Sequence, residues 1–287
     1  VRNGPQDGRE AAWAGACHNF DMQDASHLPG LVTGLAFVLA AVFGAVATRV
    51  NFCTMGAISD VVNFGDMRRL RMWLLAIAVA IAGAAALQAA GLVDLSKTLY
   101  TGSRVGWLSL AVGGFLFGFG MTLGSGCGSK TLIRVGGGNL KSLIVLVFFA
   151  ISAYMTLKGL FALWRTNALD PMRIDVAAIG AKTSDLPSLL AALGVGGAVK
   201  VWFPFAFAAA IAAWVLANRE FRATREMVVG GIIIGAVIVG GWYVSGHLGF
   251  GENPDTLEMG YFATNTRTIE SLSFVAPLAY SLELLML

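Results

Sequence analysis

Two short stretches hold the residues able to do chemistry: "RVNFCTMGAISD" at 49–60 and "GSGCGSKTLIRVGGGN" at 124–139. Each carries one cysteine, Cys53 or Cys127. A thiol offers a weak hydrogen bond and a soft, polarizable contact, and in positive surroundings it acts as a thiolate. Gly124, Gly126 and Gly128 frame Cys127 so tightly that a regular helix is disfavoured there, since each interior glycine costs about 1 kcal/mol against alanine. Irregular backbone frees N–H groups, and with a helix starting after Cys127 the amides around Ser125, Gly126 and Gly128 form a cradle for an anion. Lys130 and Arg134 add positive potential. The candidate substrate-binding set is therefore Cys53, Cys127, Ser125, Gly126, Gly128 and Lys130. The competing reading is that both cysteines are small hydrophobes and the glycines serve close helix packing.

Other chemistries fit these stretches poorly. "GSGCGSKT" departs from a phosphate loop because Ser129 stands where the glycine before the lysine is required. Cys53 and Cys127 make no C-x-x-C, and with Cys17, His18, His27 and His247 they give no zinc-ligand spacing. No metal or cofactor is expected. Cys17–His18 falls in a polar stretch and reads as incidental, and His247 reads as an interfacial residue beside Trp242 and Tyr243.

The elements that must position these residues are apolar. The chain is 56% hydrophobic and only 13% charged, with a mean hydropathy of +0.71, whereas a soluble domain carries about twice that charge. Apolar runs near 30–48, 72–92, 105–123, 142–163, 201–217, 227–245 and 271–287 approach the roughly 20 residues that cross a bilayer. None alternates in the manner of a β-barrel strand. The expected fold is an all-α integral membrane protein, a polytopic helical bundle with short re-entrant cysteine-bearing turns. Residues 1–29 form a polar N-terminal segment without signal-peptide order, and 30–287 a transmembrane transport domain. The start on Val1 and the end inside an apolar run lead us to expect a partial chain, incomplete at the C-terminus.

Charge gives an orientation. Segments 49–71, 124–141 and 218–226 hold ten Lys and Arg in 50 residues, against ten in the 109 residues of 1–29, 93–104, 158–200 and 246–270. The positive-inside rule puts the dense loops in the cytoplasm and the loop of Glu252, Asp255 and Glu258 outside. No basic–aromatic patch points to nucleic acid. No intramembrane Asp, Glu or His stands out as a proton relay, which favours facilitated passage.

Setting Cys53 over Cys127 exposes a weak repeat. Gly44 and Gly118 each lie nine residues upstream of their cysteine, and each cysteine is followed by small residues, a basic anchor and another apolar span. Two broken helices from two repeats are a transporter's usual way of building a site.

"RVNFCTMGAISD" and "GFLFGFGMTLGSGCGSKTLIRVGGGNLKSL" resemble the two cysteine motifs of the YeeE/YedE family of bacterial inner-membrane proteins. The resemblance implies an hourglass-shaped bundle of inverted repeats with cysteines at its waist. It implies uptake of thiosulfate or a related sulfur anion, or in some members a selenium compound, passed between thiols by S–H···S bonds. Cys53 would then be the outer relay thiol and Cys127 a constriction thiol. The family's third cysteine, in a "GCT"-type motif, is missing; either it lies beyond Leu287 or the relay here is a variant. A cytoplasmic sulfur-carrier protein is an implied partner, with Arg68–Arg71 as a generic docking surface. The competing classes are a membrane-bound sulfurtransferase or thiol redox protein, and a docking subunit with inert cysteines.

Overall fold

A computed structural model describes residues 28–176, 180, 183–192, 199–252, 259–261, 264 and 266–286. Cys17, His18 and His27, most of the expected N-terminal segment, and Asp255 and Glu258 lie outside these residues. The described residues are mostly helical. The principal helices are α1 (Leu28–Arg49), α2 (Thr54–Phe64), α3 (Arg68–Ala89), α4 (Trp107–Leu123), α5 (Gly128–Gly136), α6 (Leu140–Leu157), α7 (Val199–Ala217), α8 (Arg225–Tyr243) and α9 (Val275–Met286). Two small antiparallel ribbons, Arg104–Val105 with Ile174–Asp175 and Phe250–Glu252 with Met259–Tyr261, are confined to the connections.

Helices dominate because a bilayer offers the backbone no hydrogen-bond partner, so each spanning segment must satisfy itself. Among the described residues, six segments are long and apolar enough to cross: Gly30–Phe64, Arg68–Ala89, Trp107–Gly136, Leu140–Leu157, Val199–Ala217 and Arg225–Leu248. Their outer faces show Phe37, Phe115, Leu116, Phe119, Ile144, Phe148 and Trp202, each more than half exposed. A patch that large is untenable in water and ordinary against lipid. The protein is a multi-pass membrane protein.

The seventh apolar run departs from the expected span over 271–287. Its helix, α9, has 12 residues, or roughly 18 Å at 1.5 Å per residue, against a hydrocarbon core of about 30 Å. Residues 270–274 before it are non-helical. They are tied down by the Ser271 hydroxyl on the Ile238 carbonyl at 2.8 Å and by the Ser245 hydroxyl on the Glu270 carbonyl. The expected span over 142–163 stops earlier too. A side chain at Gly159 would sit 2.8 Å from the Met155 backbone, and the helix breaks there.

The core belongs to α1, α3, α7 and α8. Phe43, Ala47 and Val50 meet Met72, Leu75 and Ala76, Val215, and Ile234 and Val237, with Phe221 closing the end. In lipid the drive to associate is close packing rather than water release, and small residues supply it. A Cβ on Gly235 would lie 2.6 Å from the Val79 Cβ and 2.7 Å from the Ala76 carbonyl, and one on Gly231 would lie 2.9 Å from the Met72 carbonyl. Gly235→Val is expected to destabilise the protein by about 1–3 kcal/mol, the usual penalty of overpacking. The readout is the detergent melting temperature, with Ile232→Val on the exposed face of α8 as the control. Equal melting of the two variants would mean that α3 and α8 do not touch at Gly235.

The other half is looser. Helix α4 buries no residue, and α5 leans on α6, which in turn packs against α9. The two cysteine turns therefore join a rigid half to a lightly packed one.

Candidate functional site

Each cysteine follows a turn that closes on itself. At the end of α1 the N–H groups of Val50, Asn51 and Phe52 reach the carbonyls of Val46, Thr48 and Ala47. At the end of α4 those of Gly124, Ser125 and Gly126 reach Gly120, Thr122 and Met121, the same pattern 74 residues later. The pattern demands a left-handed residue at its corner, and Asn51 (φ 51°) and Ser125 (φ 55°) take it. Cys53 and Cys127 then turn back to extended backbone as N-caps of the short helices α2 and α5. The exits match as well. Gly65 (φ 68°) and Gly138 (φ 83°) end these helices, and Asp66 and Asn139 accept the N–H two residues on, at Arg68 and Lys141.

The two turns bring their thiols together. Cys53 Sγ lies 3.5 Å from Cys127 Sγ, and both residues are buried. The Gly56 N–H donates to Cys53 Sγ at 3.5 Å, and Ser129 Oγ sits 3.1 Å from Cys127 Sγ. The N–H of Thr54, which opens α2, lies near the Cys127 sulfur, while the N–H of Cys127 lies near the Cys53 sulfur. Two helix N-termini thus converge on one sulfur pair, and both carry the positive end of a helix dipole.

A cavity of about 280 Å³ lies against Cys127, Gly128, Ser129 and Thr54. Its wall is otherwise apolar and rich in rings, among them Phe52, Trp73, Phe117 and Phe149. A second cavity of about 590 Å³ runs along α1 and α5, beside Gly44, Thr48, Leu132, Ile133, Gly136 and Gly137. The two share Phe43, Ser129 and Phe274.

Among the six residues named from sequence, Cys53, Cys127 and Gly128 meet at this point. A Cβ on Gly128 would meet the Phe149 ring at 3.4 Å and the Phe274 Cβ at 3.6 Å, ordinary packing distances, so the start of α5 lies directly against both. The Gly126 N–H, expected to face an anion, is spent on the Met121 carbonyl, because a residue following a left-handed corner closes the helix behind it. Ser125 is the corner itself, is exposed, and its carbonyl accepts from Arg134 Nη1 at 3.0 Å. Lys130 reaches across to the other turn, its Nζ 3.3 Å from Asn51 Oδ1. Ser129, Thr54, Phe43 and Phe274 were not singled out in the sequence. Ser129 at least had a signal, lying two residues past a cysteine at a helix start.

Arg68–Arg71, which form the first turn of α3 and not a loop, are less available than their sequence implies. Arg68 pairs with Asp66 at 2.7 Å, Arg69 with Asp60 at 3.2 Å, and Arg71 lies 4.9 Å over the Trp214 ring. The Arg68 side chain beside Asp66 holds that carboxyl below the usual range. A lowered value means the link is intact at neutral pH and loosens only as the pH falls through it. His247 stacks on Tyr243 with ring centres 5.2 Å apart.

The geometry can be set beside known proteins. A family model described as sulphur transport matches residues 49–287. The thiosulfate transporter TsuA of Spirochaeta thermophila is 27% identical over 182 residues, which is 62% of this chain and 52% of that protein. The thiosulfate transporter TsuA of Escherichia coli K12 is 34% identical over 129 residues, 45% of this chain and 34% of that protein. The matches span about half or less of the length of these curated relatives.

Proposed function

This chain belongs to the sulphur transport family, and from that membership we propose that it passes thiosulfate or a related sulfur anion across a bacterial inner membrane at the Cys53–Cys127 pair. Residues 30–287 act as the transport domain, and the passage is non-enzymatic. The observation that carries the reading is the contact itself: two thiols 3.5 Å apart, each capping a short helix inside an interrupted apolar span. Non-helical backbone at membrane depth is tolerated where protein covers it or where it lines a cavity, and the Cys127 turn borders one.

Thiosulfate has a hard oxyanion end and a soft sulfur end, and the site offers something to each. Helix N-termini supply N–H donors and a positive field without a fixed charge. The thiols and the ring-lined wall suit the polarizable sulfur. Moving a bare dianion among apolar groups is costly, so the donors must compensate, while weak sulfur bonds still permit release. Lys130 and Ser125 act as supports of the two turns rather than as ligands. A soluble sulfur carrier on the cytoplasmic side completes the proposal.

The test is uptake of radiolabelled thiosulfate by the purified protein in liposomes, where saturable entry above that of empty liposomes is expected. No uptake of thiosulfate, with entry of a selenium oxyanion instead, would transfer the site to selenium. The close thiol pair also favours a second reading, a membrane thiol redox or sulfurtransferase protein. A persulfide on Cys53 or Cys127 formed during turnover, seen by mass spectrometry, would select it.

A further inference from the structure

Both cavities are lined in part by the same three residues, Phe43, Ser129 and Phe274. The Phe43 and Phe274 rings stand 5.4 Å apart between centres, tilted by 49°, and Phe52 meets the edge of Phe43 at 6.2 Å. The Phe43–Phe274 pair and the Ser129 hydroxyl, which touches Cys127, therefore stand where the two cavities adjoin. The two rings are held differently. Phe43 is on α1, 7% exposed, inside the core. Phe274 closes the irregular segment 270–274, is half-buried at the edge of the same core, and its Cβ stands 3.6 Å from where a side chain would start on Gly128, at the beginning of the Cys127 helix. The fixed anchor of that segment, Ser271, lies three residues back.

We infer that Phe274 is the movable half of an aromatic partition with Phe43, which separates the two cavities and selects, by size and by ease of shedding water, what passes Cys127. The inference rests on the reading of the thiol pair as the transport path. An aromatic gap supplies no hydrogen bonds to replace a hydration shell, so it penalises an ion whose whole surface is hard oxygen more than one with a soft sulfur end. The partition is thus a selectivity element for thiosulfate-like anions against sulfate, distinct from the thiols that bind them.

Liposomes carrying wild type, Phe274→Ala, Phe274→Leu or Phe274→Trp give the test, each variant first checked for a monodisperse elution profile. Two quantities are read. One is the ratio of sulfate to thiosulfate uptake. The other is the rate at which a membrane-impermeant charged methanethiosulfonate, added from each face in turn, labels Cys127 in a Cys17→Ser, Cys53→Ser background. Phe274→Ala is expected to raise the uptake ratio at least tenfold and to erase the difference in labelling between the two faces. Phe274→Leu should fall between Ala and wild type, and Phe274→Trp should shift both quantities the other way. A flat series, with labelling rates within twofold throughout, overturns the partition. Should Phe274→Ala fail to fold, the Leu and Trp variants decide the same question in opposite directions. Absence of thiosulfate uptake by the wild type would defeat the transport reading instead, and the labelling series would still report on the partition.

Discussion

Cys127→Ala is expected to lower thiosulfate uptake about 10- to 150-fold while leaving the protein folded. The range corresponds to losing one hydrogen bond to a charged group, about 1.5–3 kcal/mol at tenfold per 1.4 kcal/mol. The fold should survive because the core lies on α1, α3, α7 and α8, and Cys127 is not part of it. The α5 helix keeps its cap bond, since the Thr131 hydroxyl and N–H both use the Cys127 carbonyl, which alanine retains. Initial uptake rate and elution profile together check this. Uptake within twofold of wild type in a folded variant would make Cys127 a packing residue and remove the thiol from the path.

The second large effect is oxidation. Diamide, a diazene that takes up two electrons and two protons from a pair of thiols, is expected to join Cys53 to Cys127 and bring uptake to background. Dithiothreitol should restore it. The sulfurs stand 3.5 Å apart against about 2.05 Å in a disulfide, so roughly 1.5 Å of approach is needed. Mass spectrometry of the digested protein should show the peptide containing residue 53 linked to that containing residue 127, with Cys17→Ser as background. Failure to form that link, with uptake unchanged, would mean that the two sulfurs do not come within pairing distance of each other.

Much of the frame was legible before the structure. Six of the seven apolar runs give long helices, because length and hydropathy are what a bilayer selects. The glycines around Cys127 correctly signalled a helix break, and the spacing of 74 between the cysteines recurs in the hydrogen bonds of their turns. The corner residues were harder. Asn51 and Ser125 adopt positive φ where glycine is the expected choice, and Ser125 even has glycine on both sides. The Gly126 amide looked free because sequence shows a flexible residue but not the carbonyl waiting behind it. Phe274 was invisible for another reason. "SLSFVAPLAY" reads as one more oily stretch, and the ring matters only through its meeting with Phe43 and Gly128, more than a hundred positions away.

The way the two cysteine turns are fastened has a mechanical consequence. Within each turn the bonds are short in sequence and self-contained, so either turn keeps its shape without the other. Between them, among the described residues, the polar links are the thiol contact, the Lys130–Asn51 bond and the two N–H groups near the sulfurs. An ordinary hydrogen bond is worth about 0.5–1.5 kcal/mol net, and the apolar contacts of Ile133 and Phe274 on the core add to these links. Two self-closed turns are therefore fastened to each other by few polar links, and one of those links is the sulfur pair itself.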